Sequence, residues 1–515
     1  MNKEKTKIVW IGKKRLSKDK LDVSVKLDWH NTEFTLLGIN FSTDLDKTVQ
    51  INFDKTYASM KGEILKWKKR RLTPFGKVSI IKSNILSKSI HVMTTLPTPE
   101  NFLKKTNSLL YSFLWDDKPD KIKRETICQD YQQGGLKMIN IYHFEKALKI
   151  NWMKRMFTQM DAQWQSLLRI FLLDPNNLIK FGGRYSLIVK KRTQNQFWQN
   201  IFEYWNQFCY QLEITSNEDI LQSCIWYNPK ISKEDMYYPT WAKKGILFVG
   251  DVLTPNGEIM QIDEIERNFG LTVNHFYYYR IKSSLKHFIM LNQKESKFSI
   301  FQPFHPLHLP YVKSTCGSKI YYKVLNKKAG PDLQSKWSNL VCMSETNDVW
   351  PLIFKACFKS ISDNTVIWLQ YRVLHNILPT REFLNKIKMI DTNLCVFCQS
   401  YPETLLHLFC ECETVKELWH NVKQWLKNKA GININFDNSV KLLGYYNADS
   451  FYWPLNFVIL LNKKVCAHKG NKLNIYHLQS ELKKVFLEQE LLSKINSREN
   501  IFQKRWKSWK TILFV

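Results

Sequence analysis

The sequence predicts a mainly α-helical, multi-domain chain with a small β segment at its N-terminus, an α+β class in which helices dominate. Three observations predict it. Apolar residues recur at three- and four-residue steps from Val49 almost to the C-terminus, the period of one helix face, whereas runs rich in β-branched and aromatic residues gather at the N-terminus. Four of the eleven cysteines fall within the eighteen residues 395–412, with a histidine among them, which implies a metal-stapled turn inside the helical C-terminal part. At 515 residues the chain exceeds what one hydrophobic core usually supports, so roughly two to four domains are expected.

Residues 6–12 and Phe34–Phe41 read as short strands bounded by polar turns, the end of a sheet rather than a whole one. Helical periodicity takes over from Val49 to Arg71. Thr73-Pro74 then reads as an N-cap with proline at the first helical position. In the helix that follows, Val78, Ile81, Ile85 and Leu86 make one apolar face, with Lys77, Lys82 and Lys88 on the others. A further helix through Phe102, Leu110 and Leu114 ends near Trp115-Asp116-Asp117, and Gly134-Gly135 marks a turn before an amphipathic helix from Ile141 to Met156.

The charge is densest here. Residues 61–90 hold nine basic side chains against the single acid Glu63, with Trp67 inside the run. A phosphate backbone favours such a pattern, because each neutralised phosphate releases counterions and an aromatic ring can stack. Lys66, Lys68, Lys69, Arg70, Arg71, Lys77 and Lys82 are the candidate nucleic-acid contacts, while Trp67 reads as a core residue. The neighbouring Asp116 and Asp117 invite a two-metal polymerase reading. They follow a helix and precede Lys118-Pro119, whereas a metal-holding pair needs a rigid hairpin between strands, so a polar loop is the reading adopted.

The stretch from 160 to 330 is aromatic and mostly helical, and its function is opaque. His305, His308 and Cys316 lie across a proline-rich break without ligand spacing and read as a loop. From Trp350 the helical pattern sharpens, with Thr380 capping a helix through Phe383, Leu384 and Ile387. After the cysteine cluster, Val415, Leu418, Trp419, Val422 and Leu426 form the apolar face of a helix that can pack on the stapled turn. Two more helices follow, one near Pro454–Cys466 and one carrying Leu478, Leu482, Phe486 and Ile495, before a basic, aromatic terminus.

The cluster itself reads Cys395-x-x-Cys398, then His407, Cys410 and Cys412. A CxxC pair wraps around one cation, and a His and a Cys from the next turn close the tetrahedron of soft sulfur and borderline nitrogen that zinc prefers. Cys395, Cys398, His407 and Cys412 are the candidate ligands of a structural Zn2+. Cys410 competes with Cys412 for the last position. The five-residue step from His407 to Cys412 favours the latter, since both then reach one metal from either side of a helix turn.

The 76 Lys and Arg against 46 Asp and Glu leave a formal net charge of +30, which makes RNA or DNA the leading partner. No signal-like run and no window of roughly 20 apolar residues occurs, so an intracellular, reducing location, cytoplasm or nucleus, is expected, with no membrane partner.

Several of these stretches together resemble the C-terminal part of the reverse transcriptase of non-LTR retrotransposons, the long interspersed element type. Tyr371-Arg372-Val-Leu-His375-Asn-Ile-Leu-Pro-Thr380, the Cys395/Cys398 pair, Glu403-Thr404-x-x-His407 and Cys412 resemble that family's reverse-transcriptase zinc-binding domain. Trp67-x-x-Arg70-Arg71-Leu-Thr-Pro-Phe-Gly-Lys77, Phe113-Leu-Trp115 and Gly134-Gly-Leu136 are similar to its thumb, and residues 6–12 and 34–38 to its last palm strands.

The resemblance implies a palm remnant over 1–55, a thumb-like basic helical domain over 56–160, a helical connector over 161–330, the zinc-binding domain over 331–430 and a basic helical region over 431–515. The carboxylate hairpin of the family's polymerase core has no counterpart here, and its fingers and palm core would precede residue 1. Pro331-Asp332 precedes the zinc residues, so a restriction-like nuclease cluster after them is not expected. The expectation is therefore a non-catalytic, nucleic-acid-binding fragment that grips template and primer or element RNA. The alternatives are a zinc-stabilised protein-interaction scaffold and part of an active RNA-directed DNA polymerase.

Overall fold

In the computed structural model of the chain, residues 7–10, 12–14, 17, 28–29, 33–158, 163–295, 298, 303–327, 337, 349–360, 363–431, 433–446, 452–467 and 474–514 are described. They are mostly helical, as the sequence predicts. Strand is confined to two small pairings near the N-terminus, Lys7–Ile8 parallel with Asp28–Trp29 and Glu33–Leu36 antiparallel with Ile39–Ser42. Phe34–Phe41 is thus a hairpin rather than one strand. Leu37 and Gly38 both take positive φ, 48° and 80°, the backbone of a two-residue hairpin turn, and the turn is hidden in the sequence because Leu37 continues the apolar run. Pro331 and Asp332 lie outside the described residues.

The chain divides into two compact units. The first comprises Met1–Leu65, Asn84–Leu109 and Asn140–Lys327. Its hairpin is fastened by the buried amide of Asn52, whose Oδ1 accepts from the Asn40 N–H at 3.0 Å while its Nδ2 donates to the Asn40 carbonyl at 2.7 Å. Its central helix, Ile141–Thr158, packs against Ser87–Thr95, Gln196–Gln211 and Ser318–Leu325. Ala147, Ile150, Met153 and Met156 join a core of aromatic rings in which Trp205, Trp226 and Trp241 are fully buried. The indole N–H of Trp226 donates to the Ile246 carbonyl at 2.7 Å and that of Trp205 to the Leu178 carbonyl at 3.3 Å.

The same helix buries Glu145 and Lys149. Burial raises the carboxyl of Glu145 and pushes Lys149 down to about 7 against the attraction of Glu145. His308 is a core histidine: its Nε2–H meets the Ile179 carbonyl at 2.8 Å, and burial pushes it down to about 4.

The second unit comprises Lys66–Ser83, Leu110–Ile139 and Lys328–Val515. It is organised around the helix Tyr452–Ala467, whose apolar residues from Leu455 to Leu461 are buried, as in a helix inside a core. Against it pack Trp350–Ser360, Asn364–Leu374, Ile475–Ile495, Glu499–Phe514 and the turn His407–Glu411. The aromatic residues of the C-terminal helix serve this core, with Trp506 and Trp509 buried. Lys463 is buried as well, its ammonium held by Gln370 Oε1 at 2.6 Å and the Leu442 carbonyl at 2.7 Å.

Long-range bonds knit the unit. The phenol of Tyr371 donates to the Gly134 carbonyl at 2.7 Å, and His375 Nε2 meets the same oxygen at 2.9 Å. Position 134 needs glycine: φ is +73°, and a Cβ there would lie 2.8 Å from the Phe354 ring.

Candidate metal centre and nucleic-acid interface

Local rules bring the candidate metal ligands together. After Cys395 the chain reverses, with the Gln399 N–H on the Cys395 carbonyl at 2.9 Å and the Cys395 N–H on the Tyr401 carbonyl at 2.8 Å. Gln399 takes the left-handed backbone that closes this turn, φ 53°. Thr404 then caps the next turn, its hydroxyl accepting the His407 N–H at 2.9 Å, and Cys412 closes it with its N–H on the His407 carbonyl at 3.0 Å. Buried Glu403 fixes the loop from behind, since its Oε1 accepts the Arg381 N–H at 3.0 Å at the start of the helix Arg381–Lys386. The helix Glu413–Ala430 buries Val415, Leu418, Trp419, Val422 and Leu426, and Trp419 Nε1 donates to the Phe409 carbonyl at 2.9 Å.

The ligand atoms of Cys395, Cys398, His407 and Cys412 converge to within 4.8 Å of one another. Cys395 and Cys412 sulfurs are 3.9 Å apart, and Cys398 Sγ lies 3.3 Å from His407 Nε2. A tetrahedral zinc with Zn–S near 2.3 Å separates its sulfurs by about 3.8 Å, so the donor set and its size fit Zn2+. Cys410 is buried away from this group, and burial pushes its thiol up to about 12.

The two thiols of the CxxC differ. Burial pushes Cys395 up to about 11, opposed by the N–H groups of Cys398 and Phe397. Burial acts upward on Cys398 too, yet the N–H groups of Ser400 and Tyr401, with His407 and Cys395, outweigh it and hold Cys398 at about 6.

The basic residues fall into distinct settings. Lys68, Lys69, Arg70 and Arg71 form one wall of a cleft of about 480 Å³, with Leu72 to Pro74, Trp115 and Trp368 as its apolar part. Thr73 caps the helix Pro74–Ile80, its hydroxyl accepting from the Gly76 N–H at 3.5 Å, which turns the chain at the end of this wall. Arg70 lies over the half-buried ring of Trp67, 4.4 Å from its centroid. Lys66 is exposed on the last turn of the helix Leu45–Lys68.

Lys77 is not on an open face as its spacing suggested. It is buried, 2.5 Å from Asp116 and within reach of the Leu114 carbonyl, because Leu114 to Asp116 pack directly over it. Lys82 sits apart, half-buried beside Asp130 and Lys137, its ammonium pushed down first by burial and then by Lys137. Asp116 and Asp117 occupy a turn with left-handed backbone, φ 54° and 60°, and act as counter-ions to Lys77 and Lys68.

Lys118 and Lys121 also line the cleft, a role their sequence context did not reveal. Arg372 stands nearby, close enough to lower the basicity of Lys121. The available signal was Arg372 itself, a cation in an apolar helix with no acid three or four residues away on either side.

Residues 332–419 match the family described as zinc-binding in reverse transcriptase. A stretch of 110 residues, 20% of this chain, is 25% identical to a protein of Arabidopsis thaliana named "Putative ribonuclease H protein", and it covers 17% of that relative's length. The two matches support a retrotransposon-related protein with a zinc-binding segment. Among the described residues, no helix is long and apolar enough to cross a membrane.

Proposed function

We propose that this chain is a nucleic-acid-binding part of a non-LTR retrotransposon reverse transcriptase, one that grips RNA or DNA through basic helices, performs no chemistry itself and uses zinc only as a structural staple. The observation that carries this reading is the cleft wall Lys68–Arg71, four consecutive cations beside apolar rings. Phosphates would meet the cations while bases or sugars lie on the apolar surface. The matched family and the Arabidopsis relative both carry names of enzymes that act on nucleic acid, which supports the same partner.

The carboxylates favour a role without chemistry. Asp116 and Asp117 hold Lys77 and Lys68 in a turn rather than facing one another across a hairpin. For the metal, Cys395, Cys398, His407 and Cys412 would be the four ligands, a closed set that leaves no position for a reacting water. Bound zinc supplies charge neutralisation of the thiolates and cross-links the loop. The chain's own residues do the rest: Glu403 and Thr404 orient the turn, and Trp419 fixes the following helix against it.

Fluorescence anisotropy of labelled RNA and DNA tests this reading. Affinity should fall by orders of magnitude between about 50 and 200 mM salt if several phosphates are neutralised. A flat salt dependence, or no binding at about 50 mM, would reject it. A templated primer-extension product from this chain with Mg2+ would overturn the non-catalytic assignment.

A further inference from the structure

One corner of the basic cleft gathers more positive charge than the described acids around it pair with. Lys118 and Lys121 enter it from the turn after Trp115, and Lys121 Nζ lies 5.9 Å from the centroid of the Trp115 ring. Lys121 is held below the usual lysine range by burial first and then by the charges of Arg372 and Lys118, while Asp116 opposes them. Burial alone pulls Arg372 down, and its guanidinium stands 5.9 Å from the centroid of Trp368.

The local acids are engaged elsewhere: Asp116 with Lys77 at 2.5 Å, Asp117 with Lys68 at 2.7 Å and Asp120 with Arg124 at 2.6 Å. Two buried donors, Trp115 Nε1 on the cleft lining and Nε of Arg372, whose charge reaches Lys121, have no acceptor among the described residues. Buried donors are normally satisfied, and clustered cations repel unless an anion lies between them.

We propose that this corner seats one phosphate group of a nucleic-acid strand, held by Lys118 and Lys121 with the charge of Arg372 behind them, and with the attached nucleotide lying along Trp368 and Leu72–Pro74. This rests on the nucleic-acid reading above and assigns it residues outside the Lys66–Arg71 run. The cleft volume of about 480 Å³ is more than a lone phosphate needs and falls within the roughly 300–1,000 Å³ of pockets that enclose a small organic ligand. A nucleotide unit suits a site with cations at one end and rings along its side.

The phosphate can be an internal diester or a strand end, and both present the same anion. The test uses the full chain and a fluorescein-labelled oligouridylate of about ten nucleotides in three forms, with free hydroxyl ends, with a 5′-phosphate and with a 3′-phosphate. Lys118→Gln/Lys121→Gln should weaken binding on the order of tenfold at about 100 mM salt and make the salt slope shallower by about 1 or more. Lys483→Gln/Lys484→Gln, on the helix Ile475–Ile495 outside the cleft lining, should change neither by as much.

A preference of the wild type for one phosphorylated form, lost in Lys118→Gln/Lys121→Gln, assigns a strand end. Equal weakening of all three forms assigns an internal diester. Neither Lys118 nor Lys121 belongs to the buried core, so unaltered binding by that variant rejects the seat while leaving the broader reading intact. Equal loss in the two double variants also rejects it, as generic charge. Failure of the wild type to bind any form removes both the seat and the reading beneath it.

Discussion

The ammonium of Lys68 lies 2.7 Å from a carboxylate oxygen of Asp117. The serine hydroxyl of Ser112 donates to the other oxygen of the same group, and the Lys68 contact together with that of Ser112 holds Asp117 below the usual carboxylate range. An acid bound in this way is a local counter-charge that competes with any phosphate for Lys68. Asp117→Asn should therefore tighten nucleic-acid binding several-fold and steepen its salt slope by up to about 1, as one more lysine becomes available to phosphate. Anisotropy at several salt concentrations measures both. Weaker binding by Asp117→Asn would mean that the carboxylate contributes directly to the ligand site.

The ligand geometry separates Cys398 from Cys410, although both are thiols of the same eighteen-residue stretch. Cys398→Ser should lose the zinc and loosen the loop around Cys395–Cys412, whereas Cys410→Ala should keep one zinc per chain. Metal content by mass spectrometry, or release to a chromogenic chelator, reads the difference. Zinc retained by Cys398→Ser and lost by Cys410→Ala would reverse the assignment.

Removing the metal should expose an unequal pair of thiols. Cys398 is held at about 6 and Cys395 is pushed up to about 11, against about 8.5 for a free thiol. In chelator-treated protein at pH near 7, Cys398 is then a thiolate and Cys395 is not. Iodoacetamide should label Cys398 first, with a rate that falls as pH drops through about 6 and Cys398 takes up its proton. Zinc affinity falls in the same direction, because the ligands must be deprotonated. A Cys398 labelling profile centred near that of a free thiol would contradict the bonding of its sulfur to the Ser400 and Tyr401 N–H groups.

Gly134 has two reasons to be glycine, its φ of +73° and the ring of Phe354 where a Cβ would stand. Gly134→Ala should cost about 2 kcal/mol or more, the left-handed backbone contributing about 1 and the contact the remainder. It should also disturb the carbonyl shared by Tyr371 and His375. Chemical denaturation measures the loss. A change within about 0.5 kcal/mol would show that the turn relaxes freely.

What the sequence revealed follows the range over which each signal acts. The spacing of Cys395, Cys398, His407 and Cys412 is short-range, so the convergence of the four ligand atoms could be read before any fold was known. Caps at Thr73 and Thr380 were equally legible, because a hydroxyl and an N–H three residues on decide them. The hairpin at Leu37-Gly38 was not, since a leucine in left-handed backbone leaves no mark in an apolar run.

Lys77 illustrates the limit most clearly. Helical spacing placed it off the apolar face, but Leu114 and Asp116, more than thirty residues away in sequence, cover it. The approach of Lys121 to Arg372 likewise depends on packing between distant segments, which periodicity does not encode.

Phosphate gripped by the basic run Lys66–Arg71 without regard to sequence shows in the salt dependence of binding, compared between the wild type and a variant with Lys66, Lys68, Lys69, Arg70 and Arg71 changed to Gln. Measured on unrelated RNA and DNA sequences, the variant should bind each one more weakly by a similar factor, with a slope shallower by about 3 to 5. The same slope and affinity in both proteins would contradict that grip.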